Sequence, residues 1–115
     1  MAQVTGIGGV FFRCRDPEAL ALWYRTHLGL AAGSSPWAQQ AGPTVFAPFA
    51  ADSDYFPADQ QVMLNLRVDD LDGLIADLRV TGIAVDTRAE WDGDHGKFAR
   101  IHDPEGRAIE LWQPL

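Results

Sequence analysis

A chain of 115 residues has room for one compact domain, or for two small half-domains that share a core. With 47% apolar and 22% charged residues it has ordinary globular composition, and its net charge of −7 argues against nucleic acid or an anionic membrane as partner. Cys14 is the only cysteine, which excludes an intramolecular disulfide and a Cys-rich zinc site.

In chain order, Ile7 to Cys14 is rich in aromatic and β-branched residues and predicts a strand. Asp16-Pro17 then supplies an N-cap and a first helical position. Leu20, Trp23, Tyr24 and Leu28 follow at helical spacing, and Gly29 suits the residue just past the helix end. Leu30 to Ser35 reads as a short strand, and Thr44-Val45-Phe46 as another, bracketed by Pro43 and Pro48. Ala50 to Gln60 is a polar loop carrying Asp52, Asp54, Tyr55 and Phe56.

The pattern then begins again. Val62 to Val68 alternates as a strand does. Asp69-Asp70 opens a helix with Leu71, Leu74, Ile75 and Leu78 on one face, and Gly82 closes it. Ile83 to Asp86 reads as a short strand and Thr87 to Gly96 as a loop. Two runs flanking Asp103-Pro104-Glu105-Gly106 make the closing β-hairpin, since Pro second and Gly fourth suit a type I turn. Val10, Phe12 and Cys14 correspond to Leu64, Leu66 and Val68 at an offset of 54 (64 − 10), and Asp16 corresponds to Asp70. A βαβββ unit is therefore expected twice, at about residues 1–60 and 61–115. Neither half has enough core to stand alone.

Side chains alternate along a strand, so the repeat also assigns faces. Val10, Phe12, Cys14, Leu64, Leu66, Val68, Ile109 and Leu111 form an apolar set suited to packing on helices. Gly9, Phe11, Arg13, Met63, Asn65, Arg67, Glu110 and Trp112 form a mixed set suited to a ligand-lined concavity. Glu110 is the pivotal residue, because a mid-strand carboxylate beside Trp112 belongs in a wet cleft rather than a core. His102 shares its face if the hairpin loop has three or five residues, and faces away if the turn is a tight four. Asp92, Asp94 and His95 read as a turn. Trp37, Phe46, Tyr55, Phe56, Trp91 and Trp112 are many aromatics for loops and short strands, and Phe46 and Trp112 are expected in the cup.

The paired modules resemble the vicinal oxygen chelate superfamily, which includes glyoxalase I, extradiol dioxygenases and the fosfomycin and bleomycin resistance proteins. The resemblance rests on Asp16 to Leu30, on Leu66 to Leu71, and on Lys97 to Leu111 with its Asp-Pro-Glu-Gly turn and Ile-Glu-Leu. It implies an α+β fold, with two βαβββ modules forming a curved, cup-shaped mixed sheet and helices packed outside, in a homodimer. It also implies four metal-ligand positions inside the cup. Glu110 occupies the final-strand position, but Gly9, Met63 and the Phe46–Phe49 strand stand at the other three. No metal is therefore expected. A Met thioether is a poor ligand for the hard or borderline divalent metals of such enzymes.

The expected function is the binding of a small organic molecule by Phe11, Phe46, Met63, Asn65 and Trp112. Any chemistry would be acid–base, with Glu110 as base and Arg13 or Asn65 stabilising an oxyanion. One alternative is a metal-dependent lyase, isomerase or dioxygenase with atypical ligands. Another is a resistance-type protein that sequesters a drug. No run approaches the ~20 apolar residues of a membrane span, and Met1 to Gly9 has no signal-peptide pattern, so a cytoplasmic location is expected.

Overall fold

The computed structural model describes all residues from Met1 to Leu115. Two helices and three strands follow one another as α1 (Pro17–Leu28), β1 (Leu64–Arg67), α2 (Leu71–Val80), β2 (Gly96–His102) and β3 (Ala108–Pro114), with one 3₁₀ turn at Ala89–Trp91. Both helices begin where local chemistry demands it. The Asp16 carboxylate accepts from the Ala19 N–H and the Asp70 carboxylate from the Gly73 N–H. Helix α1 ends on Gly29 at φ 63, and Gly82 follows α2 at φ 85.

The sheet has the order β1-β3-β2, with β1 parallel to β3 and β2 antiparallel to it. Leu20 and Tyr24 of α1, Leu71, Ile75 and Leu78 of α2, and Ala99, Ile101, Ile109 and Leu111 of the sheet form one buried cluster. Both helices therefore cover the same sheet face. Partly buried Cys14, Trp23, Leu66 and Val68 pack around that cluster.

The hairpin turn fastens the first helix to this core. The Gly106 N–H donates to the Asp103 carbonyl at 2.9 Å, closing the expected turn. The buried Asp103 carboxylate accepts from the Glu105 and Arg107 N–H groups, the Arg107 guanidinium and the Tyr24 hydroxyl. The Glu105 carboxylate accepts from the Arg15 and Asp16 N–H groups just ahead of α1. Those two N–H groups, Arg15 first, hold the Glu105 carboxyl below its usual range. Its contribution to stability is thus present above the ordinary carboxylate pKa and fades as pH falls.

Several expected strands are absent. Ile7 to Cys14 forms no strand, and Val10 and Phe12, expected against the helices, are largely exposed; Phe12 instead lies under the Arg107 guanidinium at 4.5 Å. Leu30 to Ser35 and Thr44 to Phe46 are also irregular, Val62 to Val68 shortens to β1, and Ile83 to Asp86 makes only a bridge between Asp86 and Arg100. The physical reason is that a strand needs a ladder partner. The first-half segments have none in a single chain, and Gly6, Gly8 and Gly9 add backbone entropy against extension. The observed architecture is accordingly a small α+β fold with an open three-stranded mixed sheet, built by the second half plus α1. The Cα radius of gyration is 14.8 Å, above the roughly 13 Å of a compact domain near this size. No helix is long and apolar enough to cross a membrane.

Candidate functional site

The sheet face turned away from the helices carries a row of three polar side chains. Glu110 lies in register with Asn65 on one side and Arg100 on the other. The next row is Arg67, Trp112 and Phe98. Strand alternation explains this arrangement, because Ile109 and Leu111 must point into the helix-packed core.

Glu110 is only 8% exposed, yet both of its oxygens are satisfied. Oε1 accepts from the Asn65 amide at 2.6 Å, and Oε2 accepts from the Tyr55 hydroxyl. A buried carboxylate requires such donors. Asn65 is held by β1, whereas Tyr55 comes from the loop between Ala50 and Gln60. That loop is pinned at its far end, where the Gln60 side chain exchanges two hydrogen bonds of 2.9 Å with the Ala108 backbone.

Arg100 ties the loop to the sheet. Its Nη2 donates to the Tyr55 carbonyl at 2.9 Å, and its guanidinium lies 5.3 Å from the Tyr55 ring centroid and 5.7 Å from that of Trp91. Its Nε is buried without a partner. A cleft of about 510 Å³ opens here, bounded by Asp52 to Ala58 and Arg100. Trp112 is fixed beside this group by stacking on Phe98 at 6.1 Å and by its indole N–H, which donates to the His95 carbonyl at 2.8 Å. Gly96 makes that approach possible. It opens β2 at φ 125, and a Cβ there would strike the Gln113 carbonyl.

Of the residues expected at the site, the fold brings Asn65 and Glu110 together and seats Trp112 in the adjoining row. Met63 is half-buried one residue before β1. Phe11, Arg13 and Phe46 do not join them. Phe11 and Phe46 are 96% and 85% exposed, and Arg13 is exposed and contributes only its carbonyl, which accepts from Arg107. All three lie on first-half segments that found no strand partner. Arg67 donates to the Gln40 carbonyl at 2.9 Å and tethers that segment to the sheet instead of pairing with an acid. His102 pairs in register with Ala108 across a five-residue connection, so it shares the Glu110 face but is exposed. The Asp92 carboxylate accepts from the Phe98 N–H, a turn role as expected.

Tyr55 and Arg100 are the additions. Arg100 follows from alternation once the five-residue connection places Ala99 and Ile101 in the core, because it must then face the other way. Tyr55 sits in a loop without periodicity, and only its aromatic character among Asp and Ser residues hints at a role.

Burial and the hydrogen bond to Glu110 push the Tyr55 hydroxyl up to about 12, against a smaller opposing pull from Arg100. Tyr24 is raised still further by burial and then by Asp103. These are the chain's two tyrosines. Folded protein therefore keeps its phenol protons longer than unfolded chain does. The associated stability is complete below about pH 10 and is lost as pH climbs toward 12 and beyond. Phenolate absorbance is expected to show no step near pH 10 in folded protein, and one step near pH 10 for both residues in urea. An ordinary step in folded protein would show that neither hydroxyl is held as described.

Nowhere do three or more His, Cys, Asp or Glu side chains come close enough to hold a metal ion. At the site itself Glu110 is the carboxylate, and the groups around it are O–H and N–H donors and a guanidinium.

Comparison with known proteins agrees with this architecture. The model of the glyoxalase-like domain family matches residues 9–112. Among solved structures, the chain is similar to TnmS3, an antibiotic binding protein from Streptomyces sp. CB03234, at 27% identity over 100% of both chains with a TM-score of 0.63. It is also similar to a glyoxalase/bleomycin resistance protein from the same organism, at 30% identity over 86% of this chain and 92% of that one, with a TM-score of 0.50. A search of the curated proteins finds no match.

Proposed function

This chain belongs to the glyoxalase-like domain family, and we propose that within it the protein binds and sequesters a small aromatic molecule of the antibiotic kind. The carrying observation is the enclosed carboxylate. Glu110 sits in a row with Asn65 and Arg100, and the rings of Tyr55, Trp91, Phe98 and Trp112 lie around them. Apolar walls with a few convergent polar groups are what a small-molecule site needs. The antibiotic-binding neighbour supports the reading, because its similarity extends over the full length of both chains.

In this reading no metal takes part. The donor set does not fit a divalent cation, which needs several oxygen, nitrogen or thiolate ligands around one point. Here one carboxylate already accepts from two donors, with a guanidinium in the next strand position. Glu110 acts as an anchor rather than as a base in this reading, because its two oxygens already accept from the Tyr55 hydroxyl and the Asn65 amide; of the two expected oxyanion partners, Asn65 is in place and Arg13 lies elsewhere.

The test is a titration of the protein with bleomycin and a panel of aromatic antibiotics, followed by tryptophan fluorescence. Saturable one-to-one binding with chemically unchanged ligand is expected. Turnover of the ligand, or no binding across the panel, would overturn the reading.

A second copy completes the molecule in the same proposal. Val10, Phe11, Val45, Phe46 and Val62 are at least half exposed, and the outer edge of β1 is unpaired. Such an edge next to exposed aromatic and β-branched segments is a template for strand addition. Light scattering is expected to give about twice the chain mass of 12.6 kDa. A monomer at every accessible concentration would remove the second copy from the proposal.

A further inference from the structure

Tyr55 stands out because it does what a ligand would do. Its hydroxyl donates to the buried carboxylate at the centre of the face. Its ring lies against the Arg100 guanidinium, whose other neighbour is the Trp91 ring. It belongs to the one wall of the cleft that has neither helix nor strand. The other donor to Glu110, Asn65, stands on β1 in register with Glu110, so its backbone position is set by the sheet.

From this geometry we infer that Tyr55 occupies the ligand's own position, and that the site selects a neutral hydroxylated aromatic ring which displaces Tyr55 from Glu110. The inference rests on the binding role proposed above and names its ligand class.

Three constraints narrow that class. First, if Tyr55 leaves, Glu110 is a buried carboxylate short of one donor, so the incoming group must carry an O–H or N–H. Second, the position beside Arg100 favours an aromatic face, which a guanidinium attracts and an alkyl chain does not offer. Third, Asp52, Asp54 and Asp59 line or adjoin the loop, and with Glu110 they disfavour an anionic ligand. The unpartnered Nε of Arg100 additionally offers a donor to an oxygen substituent on such a ring. A phenol meets all of these requirements, because it is the Tyr55 side chain without its tether.

Displacement is sterically reasonable. The loop's base is anchored by Gln60 to β3, so displacement requires movement of its tip alone. At the tip, Tyr55 is held by its own hydroxyl, by the Arg100 bond to its carbonyl, by Ser53 Oγ, which accepts from its N–H, and by ring contact with Phe49.

The experiment is chemical rescue. Phenol and its methyl ether, anisole, are titrated into wild type and Tyr55→Ala, with binding read by calorimetry or NMR and folding checked by circular dichroism. Phenol is expected to bind Tyr55→Ala at least ten-fold more tightly than anisole does. It is also expected to bind wild type at least ten-fold more weakly than it binds the variant. Equal affinity for phenol and anisole, or equal affinity of phenol for wild type and variant, would overturn the inference. If Tyr55→Ala does not fold, Tyr55→Phe serves, since it keeps the ring and removes only the hydroxyl. It is expected to bind phenol more tightly than wild type, and no difference would count against the inference. The two proposals fail separately. Antibiotics that bind wild type whether or not they carry a ring hydroxyl would leave the sequestering role intact and overturn the ligand class. Phenol filling Tyr55→Ala while no antibiotic binds wild type would uphold the ligand class and overturn the role.

Discussion

Asp103→Ala is expected to lower the unfolding free energy by about 3–5 kcal/mol, the range for removing one partner of a buried ion pair. Asp103 is 4% exposed, and its carboxylate meets the Arg107 guanidinium at 2.9 Å and the Tyr24 hydroxyl at 3.1 Å. It also accepts the N–H groups of Glu105 and Arg107 inside the turn. Alanine strands all four donors at once. It also frees Arg107, whose other arm holds the Arg13 carbonyl and whose cation covers Phe12. The damage therefore spreads from the hairpin turn to the entry of α1. A domain of this size has only ~5–15 kcal/mol of stability in total, so the variant stands near the folding threshold. Urea unfolding of wild type, Asp103→Ala and Tyr24→Phe measures the effect. Tyr24→Phe removes a single hydrogen bond and is expected to cost about 1 kcal/mol. A loss below about 1 kcal/mol for Asp103→Ala would mean that the turn does not anchor the helix.

This anchor illustrates how much of the fold was legible. Asp16-Pro17, Asp70, Gly29 and Gly82 mark their helices by chemistry that acts within one turn, and the structure places them as read. Asp103-Pro104-Glu105-Gly106 closes its turn for the same local reason. The buried role of Asp103 was not legible, because its partner Tyr24 lies far away along the chain. Strands were harder. Alternation placed Asn65 and Glu110 on one face, and the register joins them. The likeness of Val10, Phe12 and Cys14 to Leu64, Leu66 and Val68 transferred a strand to the first half on pattern alone. Pattern supplies a face but no partner, and a strand without a ladder leaves its backbone groups to water. Phe11, Arg13 and Phe46 were misplaced with it. Arg100 depended on the length of the hairpin connection, which sets its register against Glu110. Tyr55 reaches Glu110 from an irregular loop, and no period announces that contact.

In Tyr55→Ala, Glu110→Gln is expected to weaken phenol binding about 10- to 100-fold, while in the wild-type chain it changes stability by less than ~1 kcal/mol. A hydrogen bond to a charged group contributes ~1.5–3 kcal/mol, and each 1.4 kcal/mol is about ten-fold in affinity. Glutamine keeps the shape and one carbonyl oxygen, so the Asn65 amide retains its acceptor. The Tyr55 hydroxyl is both donor and acceptor and can turn to meet the new amide. In wild type a ligand hydroxyl and the Tyr55 hydroxyl lose the charged acceptor alike, so the loss is read in Tyr55→Ala, where no internal hydroxyl competes. Glu110→Leu carries the argument to its end. It removes the buried charge between Asn65 and Arg100, and Asn65, already exposed, turns to water. Removing the acceptor leaves the part-buried Tyr55 hydroxyl unsatisfied, which costs about 1–3 kcal/mol. Binding should therefore vanish while the unfolding free energy measured in urea falls only by about that amount. Such a split would mark Glu110 as a residue whose main role is recognition. If Glu110→Leu unfolds the protein while Tyr55→Ala binds phenol equally well with and without Glu110→Gln, the carboxylate belongs to the framework, and the ligand is anchored elsewhere on the face.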